Sequence, residues 1–146
     1  MDLPFDFEKP EDSPGFLLWQ TTITWQRLIK RGLETFDISH SEFVIMALLL
    51  WFKAHHFEAT QVLIANWSML DKMTVSKSLK RLSAQEYVTR REHAKDTRAK
   101  HVSLTEKGMK LIIQIVPIVE HIDSQFFAKL DTHETELFKK ILAKLL

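Results

Sequence analysis

Residues 60–104 read TQVLIANWSMLDKMTVSKSLKRLSAQEYVTRREHAKDTRAKHVSL, and this stretch decides the fold. Thr60 suits a helix N-cap and predicts a short helix through Asn66. A second helix is expected from Asp71 or Lys72 to about Gln85, with Val75, Leu79 and Leu82 on its inner side. Between them lies Trp67-Ser68-Met69-Leu70, a connection of about four residues. Two short helices joined so tightly have the form of a helix-turn-helix. The period then changes. Residues 87–91 and 98–104 are rich in β-formers, and the polar residues 92–97 between them hold Asp96 as a turn former. That pattern predicts an antiparallel hairpin with a basic tip.

Outward from this centre the chain is helical. Ser39-His40-Ser41-Glu42 has the form of a capping box, and residues 43–52 are apolar on nearly all sides, so a central, buried helix is expected. From Phe16 to Phe36 apolar residues recur at helical spacing, opposite Thr22, Gln26, Lys30 and Arg31. Thr105-Glu106 caps a long helical region expected to reach about Leu130, and Pro117 should kink it by removing the donor to the Ile113 carbonyl. Asp131 or Thr132 caps a last helix carrying Leu137, Phe138, Ile141, Leu142 and Leu145. Helices this apolar at both ends of a small chain have more surface to hide than one subunit covers, which points to a homodimer. Residues 1–14 hold three of the four prolines and five acids, and read as a loose acidic arm that Phe5 and Phe7 pin to a neighbouring surface.

Composition bounds the answer. The 146 residues make one ordinary domain, and 3 glycines and 4 prolines are too few for an all-β fold. The absence of cysteine excludes a disulfide scaffold, a cysteine-ligated metal and a thiol redox switch. No apolar run is long enough to span a bilayer and the N-terminus is unlike a signal peptide, so a cytoplasmic protein without membrane contact is expected. The net charge of +1 conceals an asymmetry. Residues 71–110 carry eleven Lys/Arg against five Asp/Glu, whereas residues 1–14 carry five acids against one lysine. A basic central third points to a polyanion as partner.

The order helix, helix, tight turn, helix, basic hairpin, long helix is that of a winged helix-turn-helix. From about Phe16 to Leu145 the chain resembles the MarR family of transcriptional regulators. The residues that carry the resemblance are Met73-Thr74-Val75-Ser76-Lys77, Leu82, Tyr87-Val88-Thr89-Arg90, Asp96-Thr97-Arg98 and Leu104-Thr105-Glu106-Lys107-Gly108. It implies a mainly α fold with a small β-hairpin wing. Residues 15–146 then form a single domain, with 15–36 and 105–146 as dimerisation helices and 39–104 as the DNA-binding part. It also implies double-stranded DNA as partner and repression from a palindromic operator.

Short polar side chains near a recognition-helix N-terminus reach base edges, a role that Lys72, Thr74, Ser76 and Lys77 fit, with Lys80 and Arg81 placed for phosphates. At the wing the resemblance implies that Arg98 enters the minor groove and that Asp96 steadies it, while Arg90, Arg91, Lys95 and Lys100 add phosphate contacts. Family members usually place glycine between recognition helix and wing, yet here the stretch is Ala84-Gln85-Glu86-Tyr87. A non-glycine residue at positive φ costs about 1 kcal/mol, unless the helix ends differently.

The resemblance further implies a small aromatic effector held between the dimer helices and the DNA-binding part, for which Trp19, Trp25, Phe43, Met46, Trp51 and Phe52 are the candidate lining. Without cysteine, the thiol-peroxide sensing of some family branches is excluded. His55-His56 and Glu120-His121, with Asp123 nearby, do not chelate well as adjacent pairs, so neither a metal site nor a cofactor is expected. No phosphate-cradling glycine loop, His-Glu-x-x-His run or nucleophile elbow is present, and an enzyme is disfavoured. Two other readings follow from the acidic arm and the missing glycine: a helical protein-interaction module on a winged-helix scaffold, or an arm that shields the basic face.

Overall fold

The structure, a computed structural model, describes residues 1–92 and 100–146. Among the described residues six α-helices and one hairpin follow the order α1 (Pro14–Leu33), α2 (His40–Ala54), α3 (Gln61–Ser68), α4 (Lys72–Ala84), β1 (Val88–Glu92), β2 (Lys100–Leu104), α5 (Glu106–Phe127) and α6 (Thr132–Leu145). Mainly α with a two-stranded wing, this is a winged helix-turn-helix.

Each helix starts on a side chain that accepts from an otherwise unpaired amide. Ser13, Ser39, Thr60, Asp71, Thr105 and Asp131 take the amides of Phe16, Glu42, Leu63, Thr74, Gly108 and Glu134. At Ser39 the bonding is reciprocal, with Glu42 N to Ser39 Oγ at 3.1 Å and Ser39 N to Glu42 Oε2 at 3.0 Å. α3 runs to Ser68, two residues past the expected end, because Met69 at φ 59 takes the left-handed position that closes it. The turn is therefore tighter than the sequence implied.

α2 lies at the centre and touches α1, α3, α4, α5 and β2. Its Ile45, Met46, Leu49 and Phe52 meet Ile64 of α3, Val75, Leu79 and Leu82 of α4, and Ile112 and Ile115 of α5 in one buried cluster. In the wing Val88 pairs with Leu104 and Arg90 with Val102. Val88 and Val102 face the core, and the Val102 amide donates to the Ala59 carbonyl at 2.9 Å, tying the wing to the start of α3.

α5 runs through Pro117 as one helix to Phe127, shortly before the expected end near Leu130. Pro117 and Ile113 both lie on an exposed side, where water can satisfy the carbonyl that lost its donor. In the arm, residues 10–12 form a 3-10 turn, and Phe5 and Phe7 stack on each other at 5.5 Å while staying 62% and 36% exposed, so they do not pin it to their own subunit. At the other end α6 leaves α5 at 107° and buries none of its residues. Among the described residues no single helix is long and apolar enough to cross a membrane.

Candidate nucleic-acid interface

α4 is two-faced. Val75, Ser78, Leu79 and Leu82 are buried, whereas Lys72, Met73, Ser76, Lys77, Lys80 and Arg81 are exposed. Of the candidate base readers, Lys72, Ser76 and Lys77 stand on the outer face. Thr74 differs: it is half-buried, and its Oγ1 donates to Asp71 Oδ2 at 2.8 Å while its amide donates to Asp71 Oδ1 at 2.8 Å. The Thr74 amide, and after it the Thr74 hydroxyl, hold the Asp71 carboxyl below its ordinary range, so the cap stays charged.

Arg81 is engaged within the protein. Its Nη1 lies 2.6 and 2.8 Å from the two carboxylate oxygens of Glu42, and its Nη2 lies 2.9 Å from Asp37 Oδ2. Glu42 is only 4% exposed, and it caps α2 with the same carboxylate. Arg81 therefore fastens the recognition helix to the start of the central helix. Nothing local in the sequence marks this partner 39 residues away.

Between α4 and the wing, Glu86 takes φ 62, the conformation for which family members usually supply glycine. The Tyr87 amide donates to Leu82 O at 2.9 Å and the Glu86 amide to Ser83 O at 3.0 Å, which together form a Schellman C-cap. Thr105 braces it from below. Its hydroxyl donates to Glu86 O at 2.7 Å and its amide to Tyr87 O at 3.0 Å. Lys107 donates to Gln85 O at 2.8 Å, with its ammonium 4.8 Å from the Tyr87 ring centre. Gly108 lets α5 approach this closely, since a Cβ there would sit 2.0 Å from Tyr87 O. The Leu-Thr-x-x-Gly motif is thus the seat of the joint between recognition helix and wing.

In β1, Arg90 is half-buried and Arg91 exposed, and Lys100 opens β2 on the exposed side. Lys95, Asp96 and Arg98 lie outside the described residues.

Of the six aromatic and methionine candidates for an effector cavity, Trp51 and Phe52 meet edge-on at 6.0 Å, but the six do not gather in one place. Met46 and Phe52 are fully buried in the core and Phe43 packs against it, whereas Trp19 is 65% exposed on α1. Trp25 donates to Asp123 Oδ1 at 2.7 Å and meets the His40 ring edge-on at 5.1 Å. Trp51, at the far end of α2, stacks on His55 at 3.9 Å and neighbours Phe57 and Trp67. Helical spacing sends these side chains to different faces of α1 and α2. A cavity of about 760 Å³ opens instead between α1, α2 and α4, lined by Lys30, Asp37, His40, Glu42, Lys77 and Arg81 among others. Among the described residues no group of three or more His, Asp or Glu converges as a metal site.

Known proteins share this fold. Residues 34–121 match the family model of the ArnR1-like winged-helix domain. The HTH-type transcriptional regulator YdcH of Bacillus subtilis (strain 168) is 38% identical over 122 residues, 84% of this chain and 83% of that one. The S. aureus MepR–DNA complex superposes with a TM-score of 0.82 at 25% identity, covering 94% of this chain and 96% of that one. A mutant MarR from E. coli complexed with operator DNA superposes at a TM-score of 0.79 and 22% identity, over 90% and 92% of the chains. By fold, by family model and by relative, this chain belongs to the MarR family of winged-helix transcriptional regulators.

Proposed function

We propose that this regulator acts as a homodimer on a palindromic operator and represses by occupying it. The observation that carries the reading is the apolar surface a single protomer leaves open. Phe16, Leu17, Leu18 and Trp19 on α1 and Leu137, Ile141 and Leu145 on α6 are between 40% and 73% exposed. Apolar faces on this scale mark an association surface, and a twofold axis lets each copy cover the other. In this reading residues 15–36 and 105–146 hold the dimer, and residues 39–104 read DNA.

Each α4 enters a major groove with Lys72, Ser76 and Lys77 toward base edges and Lys80 toward phosphate. Arg90, Arg91, Lys95 and Lys100 neutralise backbone, and Arg98, steadied by Asp96, enters the minor groove. Half-site centres then lie roughly 34–36 Å apart, one helical turn. The cavity between α1, α2 and α4 supports release by a small aromatic acid. Lys30 of α1 and Lys77 and Arg81 of α4 border it beside Glu34, Asp37 and Glu42, so an anion bound there competes with Glu42 and Asp37 for Arg81, which ties α4 to α2, and changes the spacing of the two recognition helices.

Fluorescence anisotropy on upstream DNA, across salt concentrations, tests the reading. Preference over scrambled duplex of at least ~10³-fold is expected, with a steep salt slope and loss of affinity in Arg98→Ala. Sedimentation of a Leu137→Asp, Ile141→Asp variant should find monomers. Equal weak binding to every duplex, persisting through selection from randomised DNA, would replace this reading with a protein-interaction module.

A further inference from the structure

Away from the chain ends, no large apolar side chain among the described residues is more exposed than Met73, at 83%. It stands in the first turn of α4, on the outer face that also carries Ser76, Lys77 and Lys80 at the third, fourth and seventh positions after it. Its neighbour Thr74 turns inward, half-buried, with its hydroxyl donated to Asp71. The tip of the recognition helix therefore presents the Lys72 cation, the Asp71 carboxylate that caps the helix, and the Met73 thioether, with the nearest outward hydroxyl a turn later at Ser76. An apolar side chain held in water among charged groups at the leading end of a groove-reading helix has one natural apolar counterpart in DNA, the C5-methyl of thymine in the major groove.

Resting on the DNA-binding reading above, we propose that Met73 is a specificity-determining residue that packs on a thymine methyl in each half-site. Lys72, Lys77 and Lys80 supply charge that any sequence satisfies, whereas Met73 supplies a contact that only a methylated pyrimidine completes. The unbranched thioether has the torsional freedom to follow the groove wall. Because the side chain supports nothing in the fold, it can be changed without loss of structure.

The test begins with selection of an operator from randomised duplex by the full-length protein, followed by replacement of thymines in that operator, one symmetric pair at a time, with deoxyuridine. Losing one buried methyl weakens binding about fourfold, so a pair costs about fifteenfold. At one position the wild type should lose affinity by this factor. Met73→Ala and Met73→Gln should bind the thymine and uracil duplexes equally, and Met73→Leu should keep the discrimination. Thermal melting checks that all three variants remain folded. An operator at which uracil costs the wild type nothing, or costs Met73→Ala as much as the wild type, overturns the assignment and leaves DNA binding intact. A selection that returns no sequence overturns the DNA reading itself, and this inference with it.

Discussion

Replacing Gly108 with alanine should weaken the protein, although the same change in an open helix strengthens it. An unencumbered Gly→Ala substitution inside a helix gains up to about 1 kcal/mol. At position 108 the new Cβ would lie 2.0 Å from Tyr87 O and 2.9 Å from Tyr87 C. An ordinary carbon–oxygen contact is ~3.3 Å or longer, so α5 and the wing must separate by more than about 1 Å. The obstacle is backbone and cannot rotate away. Separation breaks or stretches the Thr105 amide bond to Tyr87 O at 3.0 Å and the Thr105 hydroxyl bond to Glu86 O at 2.7 Å. Each is worth about 1 kcal/mol net, and the overpacking itself costs about 1–3 kcal/mol. After the gain in helix propensity the variant should be less stable by about 2–4 kcal/mol. Urea denaturation at fixed protomer concentration measures this as a lower midpoint with unchanged slope, the fixed concentration being needed because dimerisation feeds into stability. Gly15→Ala is the internal control, since the nearest atom there, Ser13 Oγ, is 3.8 Å away and the change should be neutral or mildly stabilising. A Gly108→Ala protein as stable as the wild type would show that the α5–wing approach does not demand glycine, and the account of the motif would be wrong.

Three further outcomes are expected. Arg81→Ala strands the buried Glu42 carboxylate and should cost about 2–3 kcal/mol, less than for a fully enclosed pair because the Arg81 side chain is 42% exposed. Adding Glu42→Gln should recover part of that loss, and a double-mutant cycle by denaturation with no coupling would disprove the tie. Glu86→Gly should stabilise by about 1 kcal/mol in the same assay, since φ 62 suits glycine better than any side chain. Burial pushes His40 below its ordinary pKa of 6.5, and the nearby Asp123 only partly offsets this. The unfolded chain then binds more protons than the native one just below pH 6.5, so stability is fully held above that pH and falls as the pH drops toward the folded-state pKa. In His40→Gln that part of the stability–pH slope should vanish, and its persistence would locate the titration elsewhere.

Much of the architecture was legible because its signals are local. A Ser, Thr or Asp followed by an amphipathic run starts a helix wherever it occurs, so Ser39, Thr60, Thr105 and Asp131 announced α2, α3, α5 and α6 before any tertiary contact was known. The change from helical to alternating spacing after Glu86 marked the wing in the same way, whereas the missing glycine left open whether the helix ends on a strained residue or differently, and Glu86 at φ 62 takes the strained course. The continuation of α3 past Asn66 was not legible, because Trp67 and Ser68 suit a helix and a loop equally.

What the chain determined by itself was therefore the element order, the turn chemistry and the family, all of which depend on neighbours within a turn or two. Tertiary structure decided which partners these side chains have inside the protein. Arg81 meets Glu42 and Asp37, and Thr74 bonds back to Asp71. Trp25 donates to Asp123, 98 residues away. Met73 stood out only when its exposure could be seen. The physical reason is one of range. Helix caps and hydrophobic periods are set by backbone groups a few residues apart, whereas a cation or an indole takes whatever partner the packing of distant helices brings within about 3 Å.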